Sequence, residues 1–339
     1  MSTLPTASVI VVNSNSCLST QVILECVQAI LELSYAPLRV VIIDNGSTDG
    51  SGLHLQHIVE SYARKGHDVR LVRLPRNIGF AAANNLGFTL WASTSKYIAL
   101  INSDLAPNPD SLRGLINYLE RHSSVGGAQG KILTWDGRRI DNAGCYLSDV
   151  WHVLVRGRSR RAATDYAGAP VSYVDGAYSV YRAEAITKAG GLFIPDFFLY
   201  GDDYELAQRV WAAGYTLDYV TILAGRHLRG ASIGHSKKEA VYYAHRGETG
   251  VMVLHDPFWF VKIIAYFPRL IAHIIAYENY ATRGIIDGVG LGLKLRRRHR
   301  FRDSAYGPRV CVTTSDRLWH LLARLLGLPR GRICDSWTP

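Results

Sequence analysis

The sequence predicts an α/β protein whose mostly parallel central sheet is flanked by helices. Three observations lead there. Short apolar, β-branched runs alternate with segments of helical period through the first 120 residues, the pattern of strands buried on both faces and joined by crossover helices. Acidic residues stand at the carboxyl ends of two of those strands, where open parallel sheets carry their ligands. Charge is unevenly divided: residues 1–256 hold 24 Lys+Arg against 23 Asp+Glu, and residues 257–339 hold 14 against 5. Nearly all of the net charge of +10 therefore lies in the last quarter, and we draw a domain boundary there.

The elements follow in order. "ASVIVVN" (7–13) is the first strand, and "TQVILECVQAILEL" (20–33) sets Val22, Cys26, Ala29, Ile30 and Leu33 on one side of a helix. "LRVVIIDN" (38–45) is the second strand, followed by a "GSTDGS" turn and a helix to about Arg64. "DVRLVRL" (68–74) is the third. The turn "PRNIG" leads into the helix "FAAANNLGFTLWAS", and "KYIALIN" (96–102) is the fourth strand. Residues 108–121 read as a helix, 125–146 as strands in a hairpin-like arrangement, and "RGRSRRAATDYAGAP" (156–170) as an exposed loop. "DDYELAQRVWAAGY" opens on acids, which suit the positive end of a helix, and closes at Gly214.

Composition excludes several classes. An apolar content of 48% against 19% charged describes a folded chain. Five cysteines without a CxxC pair argue against a zinc or redox cluster and read as reduced core residues of a cytosolic protein. The opening "MSTLPTASVIVV" has no basic segment before its apolar run, so no secretory signal is expected. The first strand runs into "VVNSNSC" rather than GxGxxG, which excludes a dinucleotide-dependent oxidoreductase.

Asp44 closes the second strand and Asp104 follows the fourth. Either alone is explained by an Asx turn or a helix cap. Two acids at the ends of strands expected to lie side by side point to a ligand crevice. Asp202, Asp203 and Glu205 stand behind the aromatic run from Phe193 to Tyr200, and buried acids are costly unless something pairs with them or uses them.

Seven stretches occur in one order: "VIVVNSN", "IIDNGSTDGS", "NIGFAAANNLG", "LINSDLAP", "VDGAYSVYRAEAITKAGGL", "DFFLYGDDYELAQRVWAAGY" and "RHLRGAS". From about Ser8 to Arg246 the chain thereby resembles the inverting GT-A glycosyltransferases of family 2, in particular their rhamnosyltransferase-like branch. The resemblance implies a GT-A catalytic domain over 1–256 and a metal-dependent transfer from a nucleotide-diphosphate sugar, GDP-mannose ahead of UDP- and dTDP-sugars. It places Asp44 on the base or ribose, and Asn77 and Gly79 in the nucleotide wall. Asn102-Ser103-Asp104 takes the DxD position, with Asn102 replacing the first acid and Asp104 left to hold Mn²⁺ or Mg²⁺. His227 completes the metal or diphosphate site, Asp175 approaches donor or acceptor, and Arg246 meets phosphate. Asp203 takes the place of the catalytic base, preceded by Asp202 where the family has Glu; a hydroxyl acceptor needs such a base because it is a poor nucleophile. Glu205 is expected to pack or cap within its helix. Phe197, Phe198 and Tyr200 serve either an acceptor site or the core. The competing reading is a non-catalytic sugar- or lipid-binding scaffold of the same fold, against which Asp104, Asp203 and His227 speak together.

Residues 257–339 form the second unit. Lys262, Tyr266, Arg269, His273, Tyr277 and Tyr280 make one polar stripe on an otherwise apolar helix. Twenty such residues reach ~30 Å, enough to span a bilayer, but Arg269 near the middle costs about 2.5–3.5 kcal/mol. A helix lying at the interface is therefore favoured over a spanning one. "KLRRRHRFR" (294–302) and the amphipathic "DRLWHLLARLLGL" (316–328) agree with an anionic membrane surface. These flanks are too apolar for a nucleic-acid groove. The expected acceptor is a lipid-linked glycan, met from the cytoplasmic face by a peripheral or monotopic protein.

Overall fold

The four strands expected early in the chain form one parallel block in the computed structural model, which describes residues 4–16, 20–91, 94–229, 237–265, 279–299, 307–311 and 313–326. Strands β1 (Ala7–Asn13), β2 (Leu38–Asp44), β3 (Asp68–Arg73) and β4 (Tyr97–Ile101) lie in the spatial order β3-β2-β1-β4. Helices α1 (Thr20–Leu31), α2 (Ser51–Arg64) and α3 (Phe80–Leu90) provide the crossovers. Alternate residues enter different cores: Ile10, Val41, Ile98 and Leu100 pack on one face, Val9, Val40, Ile42 and Ala99 on the other. That two-sided burial is why these strands read as unbroken apolar runs. The strands carrying Asp44 and Asp104 are not neighbours, because β1 lies between them.

Beyond β4 the order is β5 (Leu105–Pro107), α4 (Ser111–Arg121), β6 (Val125–Thr134), β7 (Ile140–Asn142), β8 (Cys145–Ser148), β9 (Val153–Val155), β10 (Ala169–Pro170), β11 (Tyr178–Arg182), α5 (Ala183–Lys188), a 3₁₀ turn at Pro195–Phe197, α6 (Asp202–Ala212) and β12 (Thr216–His227). The ten-stranded sheet is mixed rather than mostly parallel: β11 runs antiparallel between β4 and β6, and β5, β7 and β10 also pair antiparallel. Residues 134–178 offer short strands and no crossover helix, and adjacent strands joined without one run in opposite directions. The stretch 156–170 is mostly exposed, as expected, but it is anchored at its start. Arg156 is buried, donates from Nε to the Ala143 carbonyl (2.7 Å) and lies over the rings of Tyr219 and Tyr166.

Helix α7 (Lys237–His255) ends just before the boundary, and the last quarter contributes α8 (Trp259–Ala265), α9 (Tyr280–Arg298), β13 (Arg309–Val310) and α10 (Thr314–Leu326). Helix α9 lies directly on α7 through Gly284, Gly288 and Gly292; a Cβ there would come within 2.4 Å of the Tyr242 carbonyl oxygen, 2.7 Å of that of Arg246 and 2.5 Å of Val253 Cβ. The boundary at 256 is crossed by packing, since Leu291, Leu295 and Val310 join the main core and β13 extends β8 in parallel. Trp319 and Ala323 of α10 pack with Val150, Val261 and Ala265. Lys262 of the expected stripe is buried, its Nζ 2.7 Å from Asp256 Oδ2; Tyr266, Arg269, His273 and Tyr277 lie outside the described residues. No described helix is long and apolar enough to cross a membrane. Cys26, Cys145 and Cys311 carry free thiols, while Cys17 and Cys334 fall outside the described residues.

Candidate active site

A cleft of about 200 Å³ opens at the carboxyl ends of the parallel strands, where this architecture places ligands. One wall is a ring of amides. Asn45 follows β2 and donates from Nδ2 to Asn77 Oδ1 (3.0 Å), and Asn77 donates to Ser14 Oγ (3.2 Å). The Ile78 and Gly79 N–H groups close the ring on Asn45 Oδ1 (2.9 Å) and Asn77 Oδ1 (2.8 Å). Gly79 has φ +90°, and a Cβ there would lie 2.5 Å from the Phe198 ring. The Phe80 N–H donates to the Phe198 carbonyl (2.6 Å). The amide wall is thus pinned to the segment that leads into α6. Gly79→Ala combines overpacking with an unfavourable φ and is expected to destabilise the fold by about 1–3 kcal/mol, read as a lower urea midpoint.

The facing wall is acidic. Asp202 and Asp203 open α6, and Asp175 precedes β11; all three line the cleft. Asn142 donates to Asp175 Oδ2 (2.6 Å), and the Ala177 N–H to its Oδ1 (2.9 Å). The Tyr204 and Gly176 N–H groups orient the Asp203 carboxylate, the first at 2.9 Å from Oδ1. Burial pushes Asp203 well above the usual carboxylate range, and the charges of Asp202 and Asp175 add to the shift. Burial likewise pushes Asp202 up to about 7, against the helix N–H groups that favour its ionised form. Asp202 is 3% exposed, and its Oδ2 has no hydrogen-bond partner among the described residues, so a ligand hydroxyl would satisfy it.

Asn102, the first residue of the DxD position, lines the cleft; Asp104, two residues on, is buried and turned to His227. His227 ends β12 with Nε2 3.1 Å from Asp104 Oδ1 and Nδ1 3.1 Å from Asp141 Oδ2. Burial opposes a charged ring here, but the hydrogen bonds to Asp104 and Asp141 outweigh it and lift the pKa to about 9. The residues fit a divalent cation. Two adjacent ligands at ~2.1 Å on an octahedral ion stand ~3.0 Å apart, close to the observed spacing of Asp104 Oδ1 and His227 Nε2. Among the described residues no three His, Cys, Asp or Glu side chains converge on one point. A cation held by this pair would therefore take its remaining ligands from substrate and water oxygens, as Mg²⁺ and Mn²⁺ do.

Asn77, Gly79, Asn102, Asp175, Asp202 and Asp203 thus meet at one cleft. Asp44 is not in the lining: its carboxylate is buried, 3.4 Å from Arg73 Nε, and the neighbouring Asn45 lines the cleft. Arg246 also lies outside the lining. Its guanidinium donates to the carbonyls of Phe197 (2.7 Å) and Asp196 (2.9 Å), bracing the turn before α6 from α7. Of the aromatic run, Phe197 is core, and Phe198 and Tyr200 line the cleft with φ of +66° and +58°. Sequence reasoning missed Asn45, Asn142 and Asp141, polar residues whose partners come from distant segments. Glu205 is fully buried, with Arg209 Nε at 3.0 and 2.9 Å from its two oxygens and His255 Nε2 at 3.1 Å.

With this geometry in place, comparison with known proteins is decisive. The model of the glycosyl transferase family 2 matches residues 8–188, more than half of the chain. The chain belongs to glycosyl transferase family 2. It is a GT-A enzyme that transfers a glycosyl group from a nucleotide sugar. An uncharacterized glycosyltransferase of Haemophilus influenzae is 24% identical over 76% of this chain and 74% of its own length. The N-acetylglucosaminyl-diphospho-decaprenol L-rhamnosyltransferase of Mycobacterium tuberculosis is 24% identical over 66% of this chain and 77% of its own. Among solved structures, GalNAc-T7 with UDP, GalNAc and Mn²⁺ superposes with a TM-score of 0.59 at 15% identity, over 88% of this chain and 58% of that one. The mannosyltransferase PcManGT of Pyrobaculum calidifontis, with GDP-Man and Mn²⁺, gives 0.50 at 18% identity over 96% and 81%. The family match ends before α6, so the acids at 202 and 203 stand on geometry.

Proposed function

We propose that this glycosyltransferase moves a monosaccharide from a nucleotide-diphosphate sugar to a hydroxyl of a lipid-linked glycan at a membrane surface, with inversion at the anomeric carbon. The observation that carries the reading is the shared cleft: the amide wall, Asn102 and the acids of α6 come from separate segments and face one space. Asp203 is the general base. Its carboxylate, oriented by backbone N–H groups, takes the acceptor proton as the hydroxyl oxygen attacks C1. The amides of Asn45 and Asn77 hold the nucleotide, and Asp202 Oδ2 accepts from a sugar hydroxyl. Asp104 and His227 would hold Mn²⁺ or Mg²⁺, which would supply positive charge to the departing diphosphate. In-line attack from the Asp203 side with a single base inverts the configuration.

The lipid-linked acceptor rests on the last quarter of the chain. Helices α8 and α10 pack together and leave Phe260 (56%), Ile264 (59%), Leu321 (53%) and Leu325 (72%) exposed, with Arg317 and Arg324 exposed on α10. Exposed apolar residues beside basic ones suit an anionic lipid surface. One relative is itself named for a decaprenol-linked substrate. On this reading the enzyme is peripheral or monotopic at the cytoplasmic face.

Two experiments test this reading. A panel of GDP-, UDP- and dTDP-sugars with Mn²⁺ is expected to single out one nucleotide that raises stability by about 2.7 kcal/mol at one hundred times its Kd; no response to any of them would sink the donor reading. The full chain is also expected to float with anionic vesicles and to lose that binding in Phe260→Glu/Leu325→Glu. Truncation at 256 is no substitute, because Leu291, Leu295 and Val310 belong to the catalytic core.

A further inference from the structure

We infer that Asp141 is a positioning residue, one carboxylate that clamps His227 and Arg229 together and so holds the His227 ring at Asp104. Asp141 lies on the short strand β7 and is 5% exposed. Its Oδ2 is 3.1 Å from His227 Nδ1, and its Oδ1 accepts from Arg229 Nε at 2.6 Å. Both oxygens are thus spent on one three-residue segment, whose middle residue, Leu228, donates its N–H to the Asp104 carbonyl (3.0 Å). Arg229 adopts φ +62°, a left-handed conformation that a non-glycine residue keeps only when its surroundings enforce it.

The geometry has a chemical consequence. An imidazole whose Nδ1–H is held by a carboxylate presents Nε2 as the ligating atom, in a fixed plane and with raised basicity. Here Nε2 is the atom beside Asp104. Arg229 keeps its terminal N–H groups: the side chain is 43% exposed, and Asp175 of the cleft wall is within electrostatic reach. A guanidinium so placed presents planar donors to phosphate oxygens. Asp141 itself touches neither ligand. It acts through the two residues that do.

The inference rests on the metal assignment proposed above, and the test separates the two. Free Mn²⁺ is titrated against the full chain by electron paramagnetic resonance, without donor or acceptor. The wild-type chain is expected to bind Mn²⁺, and Asp141→Asn to bind it about 10–100-fold more weakly. In a His227→Gln background the same change is expected to cost nothing further, because its effect passes through that ring. Wild-type affinity in Asp141→Asn, or an equal loss in both backgrounds, would overturn the inference and leave the metal site standing. Absence of Mn²⁺ binding by the wild-type chain would overturn the metal assignment and the inference with it. Should Asp141→Asn fail to fold, ¹⁵N spectra of the Mg²⁺-saturated wild-type chain decide: a proton on Nδ1 of His227 is expected, and a proton on Nε2 contradicts the clamp.

Discussion

Asp203→Asn lowers kcat by about 10²–10⁴-fold, the usual worth of a positioned general base, while the affinity for the nucleotide sugar changes little. The asymmetry follows from where the residue stands. Asp203 opens α6 on the acidic side of the cleft, apart from the amide wall proposed to hold the nucleotide. Asparagine keeps the size and the hydrogen bond from the Tyr204 N–H but accepts no proton. The pH profile provides a second readout. A base works only when ionised, and burial with neighbouring charge raises Asp203 far above an ordinary carboxylate, beside Asp202 at about 7. Turnover of the wild-type enzyme should therefore begin to fall well above pH 4 as pH is lowered, with the two acids titrating as a pair. Asp202→Asn removes one of the charges that hold Asp203 up, so its acid limb should move to lower pH. Unchanged turnover in Asp203→Asn would remove the base assignment.

Glu205→Gln is expected to cost about 3–5 kcal/mol of stability, because removing one member of a buried ion pair leaves the other uncompensated. Glu205 is 0% exposed on the same helix as Asp202 and Asp203. Burial disfavours its charge, but Arg209 and His255 more than offset this and hold it down at about 2. The sign follows from that depression: the group contributes fully above pH 4.5, its ordinary value, and the contribution disappears as pH falls toward 2. Urea unfolding at pH 7 should show the loss in Glu205→Gln, and the difference from wild type should shrink in acid. A difference below about 1 kcal/mol at pH 7 would show that the pair is replaceable. Because Arg209 also donates to the carbonyls of Ala189 and Gly191, and His255 belongs to α7, this ionic centre ties the base helix to the C-terminal helices.

The parallel block was legible because its signals are local. Val9, Ile10, Val40 and Val41 alternate between two cores, so burial on both faces leaves a run that no surface strand would show. The acids of α6 were legible for the same reason, as charges placed against an aromatic run. What escaped was set by tertiary pairing. Nothing near Asp141 announces a clamp, since its partners lie 86 and 88 residues away. The reversed direction of β11 depends on its slot between β4 and β6, a choice of topology rather than of composition. Arg156 and Lys262 look like surface charges by type; three tyrosine rings around the first, and Asp256 beside the second, turn them inward.

The central claim is geometric: the donor's anomeric carbon meets Asp203 within the cleft of Asn45, Asn77 and Asn102. A crystal structure of the Asp203→Asn enzyme with Mn²⁺ and the nucleotide sugar that stabilises it tests this most directly. The account predicts the base and ribose against the amide wall, the cation on Asp104 Oδ1 and His227 Nε2, and C1 turned toward position 203 with room between for one hydroxyl. A nucleotide bound elsewhere on the chain, or a C1 facing away from α6, would contradict it.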